Sequence, residues 1–254
     1  LIDKSAFPRD KVCGDCLGGY ALSVLHQINP DLPGKILRTG RVVEGQGVHF
    51  FGPRHQRISI PATKLVNRTI REVALGKRID FDAMLLEEAL STGLVDFMPD
   101  TNISKIRRAE NRIILHDEKK DMVLETGMLV VATGSHHKPV RMLTGKSISY
   151  REQATGLRAY FNNVKEMSPP GYIELHFLKE LAPGYLWIFP LPGNRANVGL
   201  GLRTDLMKRK NIDLKKAFYS ILSEDPYFRS RFALAEQEKE IQAPLTVRFI
   251  CKKL

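Results

Sequence analysis

The sequence predicts a mixed α/β (α+β) fold in which a helix-rich α/β unit is interleaved with an antiparallel sheet. Three observations predict it. A glycine-bearing loop near the start leads directly into an amphipathic helix. Residues 40–62 then alternate between apolar and polar side chains, as half-buried strands do. Longer alternating segments at 156–163, 172–178 and 185–191 precede a further amphipathic helix, which is typical of an antiparallel sheet covered on one face.

The totals exclude several classes of protein. The chain has 254 residues, 43% of them hydrophobic and 26% charged, which is enough for one large domain or two interleaved ones. No apolar run approaches the roughly 20 residues of a membrane span. The net charge of +11 is compatible with an anionic membrane, a phosphorylated ligand or an acidic partner. The basic residues are scattered and accompany no nucleic-acid motif, so we expect no nucleic-acid partner.

Cysteine use predicts a reducing, cytoplasmic environment and no metal site. Three cysteines are too few for a disulfide framework in a chain of this length. Cys13 and Cys16 have Cys-x-x-Cys spacing, but zinc needs two more ligands. Cys251 stands alone, and His136 and His137 are adjacent rather than spaced for chelation.

The first half is predicted to alternate short strands with helices. Leu1–Asp3 is predicted to end a parallel strand, where a dinucleotide-binding unit places the acid that accepts a hydrogen bond from the ribose. The opening segment, Phe7–Gly19, follows it. Asp15 is the expected N-cap of a helix that ends at Asn29. A second helix is predicted over residues 77–92 and stops at Gly93.

A meander follows this helix, with strands predicted at 102–106, 112–116 and 122–125. It leads into Met128–Ala132, a continuous apolar run typical of a buried central strand. Thr133-Gly134-Ser135 closes that strand, at a place where the backbone can approach a ligand.

The second half presents one face of a sheet that carries aromatic residues and glycines. By period two, three aromatic side chains share a face of one strand: Tyr185, Trp187 and Phe189. The next strand places three small or polar residues on one face: Asn197, Gly199 and Gly201. The glycines leave room for a flat or bulky ligand, although an ordinary sheet core beneath a helix is the alternative. An amphipathic helix over 214–222 and a last strand over 245–251 complete the chain.

Four segments occur in a characteristic order. They are Phe7–Asp15; Arg78–Asp82 with Leu85 and Leu86; Val131–Ser135; and Tyr185–Pro190 with Asn197–Gly199. Together they resemble the geranylgeranyl reductase family of FAD-dependent oxidoreductases, within the larger group that shares the p-hydroxybenzoate hydroxylase fold. The resemblance covers almost the whole chain. Only Trp187-Ile188-Phe189-Pro190 stands where a halogenase would have a Trp-x-Trp-x-Ile-Pro motif, which argues against that branch.

The resemblance implies a partial FAD-binding, Rossmann-like domain of residues 1–39 and 63–135. A substrate domain of residues 40–62 and 136–254, an antiparallel sheet with helices, is interleaved with it. Eight residues are implied to contact FAD: Asp3, Arg9, Cys13, Gly14, Cys16, Arg78, Ile103 and Gly134. Cys16 stands where family members often have glycine. Five residues are implied to roof the substrate cavity: Tyr185, Trp187, Phe189, Asn197 and Gly199.

The implied reaction is hydride transfer from reduced FAD to a C=C bond of an isoprenoid or other apolar substrate, with Cys13 as the candidate proton donor. NAD(P)H or another reductant, such as an acidic electron-donor protein, would supply the electrons. A lipid or other apolar small molecule is the expected substrate, with peripheral membrane contact. The resemblance also implies a piece of a longer enzyme, since the N-terminal glycine-loop unit and a later Gly-Asp segment do not occur in this sequence. An aromatic monooxygenase and a non-catalytic lipid- or protein-binding remnant are the alternatives.

Overall fold

An eight-stranded sheet organises the chain, and helices cover one of its faces. The computed structural model describes residues 1–62, 73–146, 149, 151, 153–169 and 171–248. Within these ranges, no helix combines the length and the apolar character that crossing a bilayer requires.

Seven α-helices lie in the described part of the chain: α1 (Gly19–Ile28), α2 (Leu32–Leu37), α3 (Arg78–Ser91), α4 (Lys138–Thr144), α5 (Thr204–Arg209), α6 (Leu214–Glu224) and α7 (Pro226–Phe232). A 3-10 turn spans Lys179–Leu181. Two of these helices have clear start signals. The Asp213 carboxylate accepts hydrogen bonds from the first backbone N–H groups of α6, and Asp225 does the same for α7, in which proline is the first residue.

Fourteen strands lie in the same ranges: β1 (Cys16–Leu17), β2 (Val43–Glu44), β3 (Gly47–Phe51), β4 (Arg57–Pro61), β5 (Ala74–Leu75), β6 (Lys105–Ala109), β7 (Arg112–Asp117), β8 (Met122–Thr126), β9 (Gln153–Asn162), β10 (Tyr172–His176), β11 (Tyr185–Leu191), β12 (Arg195–Arg203), β13 (Glu236–Gln237) and β14 (Gln242–Arg248). The large sheet has the order β13-β9-β12-β11-β10-β3-β4, and β14 also pairs with β9. Its strands are antiparallel except for the β3–β10 pair. Smaller sheets have the orders β1-β5-β2 and β6-β7-β8.

The two faces of the large sheet differ in what they carry. The core face packs against α6 and α7 and is apolar, with Leu157, Leu186, Ile188, Val198 and Leu200. Burying each such side chain contributes about 1.5–3 kcal/mol. The opposite face is covered by the opening segment, and we call it the loop-covered face. Three strands supply it: β9 with Gly156, Arg158 and Tyr160; β11 with Tyr185, Trp187 and Phe189; and β12 with Asn197, Gly199 and Gly201.

The structure confirms the predicted mixed α/β class, the second helix, the three-stranded meander and the long strands of the second half. Strands β3 and β4, from the predicted excursion over 40–62, belong to the same sheet as β9–β12. The division into two domains stays a prediction, and its boundary at residue 63 lies outside the described residues. The end of the predicted last strand, with Cys251, also lies outside them.

Three local predictions are wrong or incomplete. Met128–Ala132 forms no strand, and the side chains of Met128 and Val130 are 79% and 80% exposed. A continuous apolar strand is buried where both faces of its sheet are covered, and Met128–Ala132 joins none of the described sheets. Leu1–Asp3 makes only a single parallel bridge, between Ile2 and Met98. Asp15 is not the N-cap of α1, because that helix begins after Gly18.

Candidate functional site

Asn197 joins the opening segment to the loop-covered face. Its side-chain Nδ2 donates to the Cys13 carbonyl oxygen at 2.8 Å and to the Asp15 Oδ2 at 2.9 Å. Its Oδ1 accepts the indole N–H of Trp187 at 2.9 Å. Asn197 is fully buried, so all three hydrogen bonds are shielded from water. The candidate cofactor loop and the candidate substrate face are therefore in contact at Asn197.

Two glycines allow this close contact. A Cβ added at Gly14 would lie 2.9 Å from the Phe189 ring, so the opening segment packs directly on that ring. A Cβ added at Gly199 would overlap the indole of Trp187. The glycine positions on β12 were predicted to leave room for a flat ligand. In the structure the flat group lying against Gly199 is the chain's own Trp187.

Asp15 is the residue that fixes the opening segment. From the sequence it was predicted to be the N-cap of the first helix. It is fully buried and has a left-handed φ of 62°. Besides Asn197, its carboxylate accepts the Tyr160 hydroxyl at 2.6 Å and the backbone N–H of Arg78 at 3.3 Å. Burial raises the pKa of Asp15, although these hydrogen bonds oppose the shift. Asp15 thus links the segment to β9, to β12 and to the start of α3.

A chain of ion pairs runs along the other side of the opening segment. Arg9 donates to Asp3 at 3.0 Å and to Asp82 at 3.1 Å, and Arg78 donates to Asp82 at 2.6 Å. Burial lowers the pKa of Arg78, but Asp82 outweighs it and raises that pKa above the ordinary value. The nearby Cys13 side chain contributes to raising the pKa of Arg78 in the same direction.

Cations therefore converge beside Cys13. Lys11 belongs to the same group, because burial and the nearby Arg78 lower the pKa of its ammonium. Its Nζ lies 3.7 Å from where a side chain at Gly134 would begin. The Cys13 loop, the start of α3 and the 134 turn thus approach one another. A cluster of cations around a glycine-bearing loop fits an anionic group such as the pyrophosphate of FAD.

The other predicted FAD contacts are placed as follows. Asp3 already uses both oxygens, one with Arg9 and the other with the backbone N–H of Ser5 at 3.0 Å. Ile103 is half-buried near it, since the backbone N–H of Thr101 donates to the Asp3 carbonyl oxygen at 3.0 Å. Cys16 lies in β1, where burial raises the pKa of its thiol to about 12. It is therefore an uncharged thiol. The contacts of these residues with FAD stay predictions.

A hollow of about 300 Å³ lies at the Tyr185 end of the loop-covered face. Its lining is mostly apolar or glycine, and it includes Gly156, Pro183, Tyr185, Trp187, Gly201 and Leu202. Two of the predicted substrate residues, Tyr185 and Trp187, line it. Phe189, Asn197 and Gly199 lie farther along the same face, toward the opening segment. The hollow is large enough for part of a small apolar molecule.

Two further residues of this face, Arg158 and Tyr160, were not predicted from the sequence. Arg158 is fully buried and donates to both oxygens of Asp10 at 2.8 Å. Its guanidinium carbon lies 3.9 Å above the ring of Tyr160. Burial raises the pKa of Asp10, but the ion pair with Arg158 outweighs it and holds that pKa below the ordinary value. The signal was present, since an arginine between Leu157 and Ala159 interrupts an otherwise buried strand.

Comparisons with known proteins show similarity to flavin-dependent oxidoreductases. Residues 152–235 match the family model of the geranylgeranyl reductase catalytic domain. A menaquinone reductase of Mycolicibacterium smegmatis is 29% identical over 214 residues, which are 79% of this chain and 48% of that protein. A digeranylgeranylglycerophospholipid reductase of Methanocaldococcus jannaschii is 25% identical over 175 residues, covering 68% of this chain and 42% of that protein. The chain thus spans about half the length of these curated relatives, or less.

Solved structures show the same fold. The chondrochloren halogenase CndH, described as a new variant of FAD-dependent halogenases, has a TM-score of 0.74 at 18% identity. The match covers 98% of this chain and 57% of that one. At this level of identity the likeness concerns the fold alone, which is shared by reductases and halogenases that use flavin.

Proposed function

We propose, given that the chain belongs to the geranylgeranyl reductase family of FAD-dependent oxidoreductases, that it reduces a C=C bond of an isoprenoid or other apolar substrate. FAD would supply the hydride when it is bound in reduced form. The residues of this chain would hold the cofactor, position the substrate and exclude water.

The observation that carries the proposal is the contact between the opening segment and the loop-covered face. Arg78 and Lys11 place positive charge beside Cys13, and Asn197 ties the same loop to Trp187. A flat cofactor bound along the opening segment would therefore lie at the edge of the aromatic face. Arg9, Cys13, Gly14, Arg78 and Gly134 are the residues that would hold it.

The substrate proposal rests on the hollow beside Tyr185 and Trp187. An apolar lining favours a hydrocarbon, because each buried CH₂ contributes about 0.8 kcal/mol. The names of two relatives, a menaquinone reductase and a digeranylgeranylglycerophospholipid reductase, point to lipid substrates for those proteins. The net charge of +11 suits peripheral contact with an anionic membrane from the cytoplasm, or an acidic electron-donor protein. NAD(P)H is the other reductant we consider, and Cys13 is the candidate proton donor.

The test is a titration of the purified protein with FAD, followed by flavin absorbance and by quenching of Trp187, the single tryptophan. We expect saturable binding that Arg78→Gln weakens about tenfold, since a charge-assisted hydrogen bond contributes about 1.5–3 kcal/mol. The matched control is Arg112→Gln, which removes an arginine that is 71% exposed and paired with Glu125. Equal affinities for the two variants would contradict the assigned role of Arg78.

The reaction class is tested on the FAD-loaded protein after anaerobic reduction. Reoxidation of the flavin by a prenylated enone, without oxygen, is the result expected of a reductase. Dependence on oxygen with hydroxylation of an aromatic compound would instead identify a monooxygenase. Absence of flavin binding by a protein that also carries the N-terminal glycine-loop unit would indicate a non-catalytic lipid- or protein-binding remnant.

A further inference from the structure

Arg158 has unused hydrogen-bonding capacity in a site that water does not reach. An arginine side chain carries five N–H donors, one on Nε and two on each Nη. Both oxygens of Asp10 accept from Nη2 alone. Nε and Nη1 have no hydrogen-bond partner among the described residues, and Arg158 is 0% exposed.

Such donors are costly to bury unless a partner arrives. Buried polar groups in folded proteins nearly always have a hydrogen-bond partner, so each exception calls for an explanation. The ring of Tyr160 offers Arg158 a cation–π contact at 3.9 Å, but a ring face does not replace an oxygen acceptor for three N–H groups. An acceptor atom from a bound molecule would.

The position of Arg158 indicates where that molecule lies. Arg158, Gly199 and Trp187 occupy one cross-strand row, with glycine between the two large side chains. Gly156, two residues earlier on the same face of β9, lines the hollow together with Trp187. An apolar molecule in the hollow that displaces part of the indole would present one end to Arg158.

The charge of the site indicates what the acceptor is. Asp10 already neutralises Arg158 through the ion pair, so a second carboxylate or a phosphate would leave the buried site with excess negative charge. A neutral carbonyl oxygen avoids this cost, because it accepts from the free N–H groups without adding charge.

We propose that Arg158 is a substrate-binding residue whose Nε and Nη1 donate to a carbonyl oxygen of a quinone or enone, with the apolar part of that molecule in the hollow. This inference rests on the proposed function and assigns the substrate class, a conjugated carbonyl compound, and the residue that recognises it. The ion pair with Asp10 holds the guanidinium in place for that contact.

The experiment compares two probes of similar shape, menadione and its carbonyl-free analogue methylnaphthalene. Binding is followed by the emission of Trp187, the single tryptophan, and by calorimetry, without flavin. We expect the protein to bind menadione about tenfold more tightly than methylnaphthalene. Arg158→Lys retains a cation for Asp10 but lacks the second set of planar donors, so it should lose that preference and bind methylnaphthalene unchanged.

The matched control is Arg203→Lys. Arg203 also lines the hollow, but its guanidinium binds both oxygens of Asp205, at 3.0 and 2.7 Å. This variant should keep the preference for menadione. Equal affinity of the unaltered protein for the two probes would overturn the proposal even if Arg158→Lys fails to fold.

The outcomes separate two failures. Equal affinity of the unaltered protein for the two probes, or a preference that survives in Arg158→Lys, would overturn the role of Arg158 and leave the reductase proposal standing. Absence of binding by both probes would overturn the hollow as the substrate site, and the role of Arg158 with it. The FAD titration is independent of both results.

Discussion

Arg231 and Arg158 are both fully buried, on opposite sides of the eight-stranded sheet, yet their surroundings differ in one respect. Arg231, in α7, donates to both oxygens of Glu174 at 2.7 and 3.0 Å. Its remaining N–H groups reach the Tyr227 hydroxyl and the carbonyl oxygens of Lys165 and Glu166. All five donors are thus matched. Arg158 matches only those on Nη2.

The difference separates a structural cation from one available to a ligand. Glu174 is held equally firmly. Burial would raise its pKa, but hydrogen bonds from His176 and Arg231 lower it to about 2. A closed network of this kind fixes α7 against β10 and has no capacity for another molecule. On the loop-covered face, the open donors of Arg158 belong to the same strand as Gly156, which lines the hollow, and this is the arrangement expected where something binds.

The largest expected effect tests the closed network. Arg231→Met would leave the Glu174 carboxylate buried without a cation, and we expect a loss of about 3–5 kcal/mol in the free energy of unfolding. Urea denaturation at neutral pH measures it. The dependence of unfolding stability on pH in the acid range provides a control. Since the pKa of Glu174 falls from 4.5 to about 2 on folding, this network stabilises the unaltered protein above pH 4.5, and that stabilisation is lost as the pH falls toward 2. A loss below about 1 kcal/mol would show that the network is not structural.

The next effect tests what fixes the opening segment. Asp15→Ala removes the acceptor for Tyr160 and Asn197 and places alanine at a left-handed φ, so we expect a loss of about 2–4 kcal/mol. Asp15→Asn is the matched control, because asparagine tolerates that backbone and keeps one acceptor oxygen. It should cost less than alanine. Thermal denaturation of the three proteins gives the order, and equal losses would show that backbone conformation contributes nothing.

A smaller effect tests the contact between Trp187 and β12. A Cβ at Gly199 would overlap the indole, so Gly199→Ala should displace Trp187 and cost about 1–3 kcal/mol. The emission of Trp187 should shift to longer wavelength as the ring gains contact with water. Gly193→Ala, in the turn between β11 and β12, is the control for emission, since its Cβ would approach only the side chain of Arg195. Unchanged emission in Gly199→Ala would show that the ring adapts without leaving its place.

Local pattern predicted much of this molecule, and long-range pairing accounts for what it missed. Period two correctly grouped Tyr185, Trp187 and Phe189, because strand alternation is a property of the chain itself. The same rule applied to β9 would have put Arg158 on that face. Its pairing with Asp10 could not be foreseen, because the two residues lie 148 positions apart. Asp15 was misassigned for the same reason, since its partners come from β9, β12 and α3.

Met128–Ala132 shows a different limit. Its continuous apolar sequence is typical of a buried parallel strand. Burial, however, depends on neighbouring strands and helices elsewhere in the chain, which the segment itself does not reveal. The glycines of β12 show a third. Their spacing indicated room for a flat group, and the structure fills part of it with Trp187 of the neighbouring strand. The sequence pattern thus located the loop-covered face. Only the fold shows which of its side chains already have partners within the protein.

The smallest expected effect concerns the core side of the sheet. There the buried side chain of His49, like that of Arg158, has nitrogens without a hydrogen-bond partner among the described residues. His49 is 5% exposed, and neither ring nitrogen has a hydrogen-bond partner among the described residues. It stacks on Tyr172 with ring centroids 4.4 Å apart, a contact that phenylalanine would keep. We therefore expect His49→Phe to stabilise the protein by about 1 kcal/mol at neutral pH, measured by urea denaturation.

The pH dependence of this variant distinguishes a tolerated histidine from a ligand-binding one. Burial and the nearby Arg57 lower the pKa of His49, while Glu174 opposes them. The folded pKa thus lies below the unfolded value of 6.5. The contribution of His49 to stability is therefore greatest above pH 6.5 and decreases as the pH falls below it, because the unfolded chain takes up the proton more readily. His49→Phe should remove that part of the loss, so its advantage should grow between pH 7 and about pH 5. A constant advantage would mean that His49 binds a proton as readily in the folded protein as in the unfolded chain. A net destabilisation at neutral pH would mean that the ring nitrogens of His49 have a hydrogen-bond partner in the folded protein.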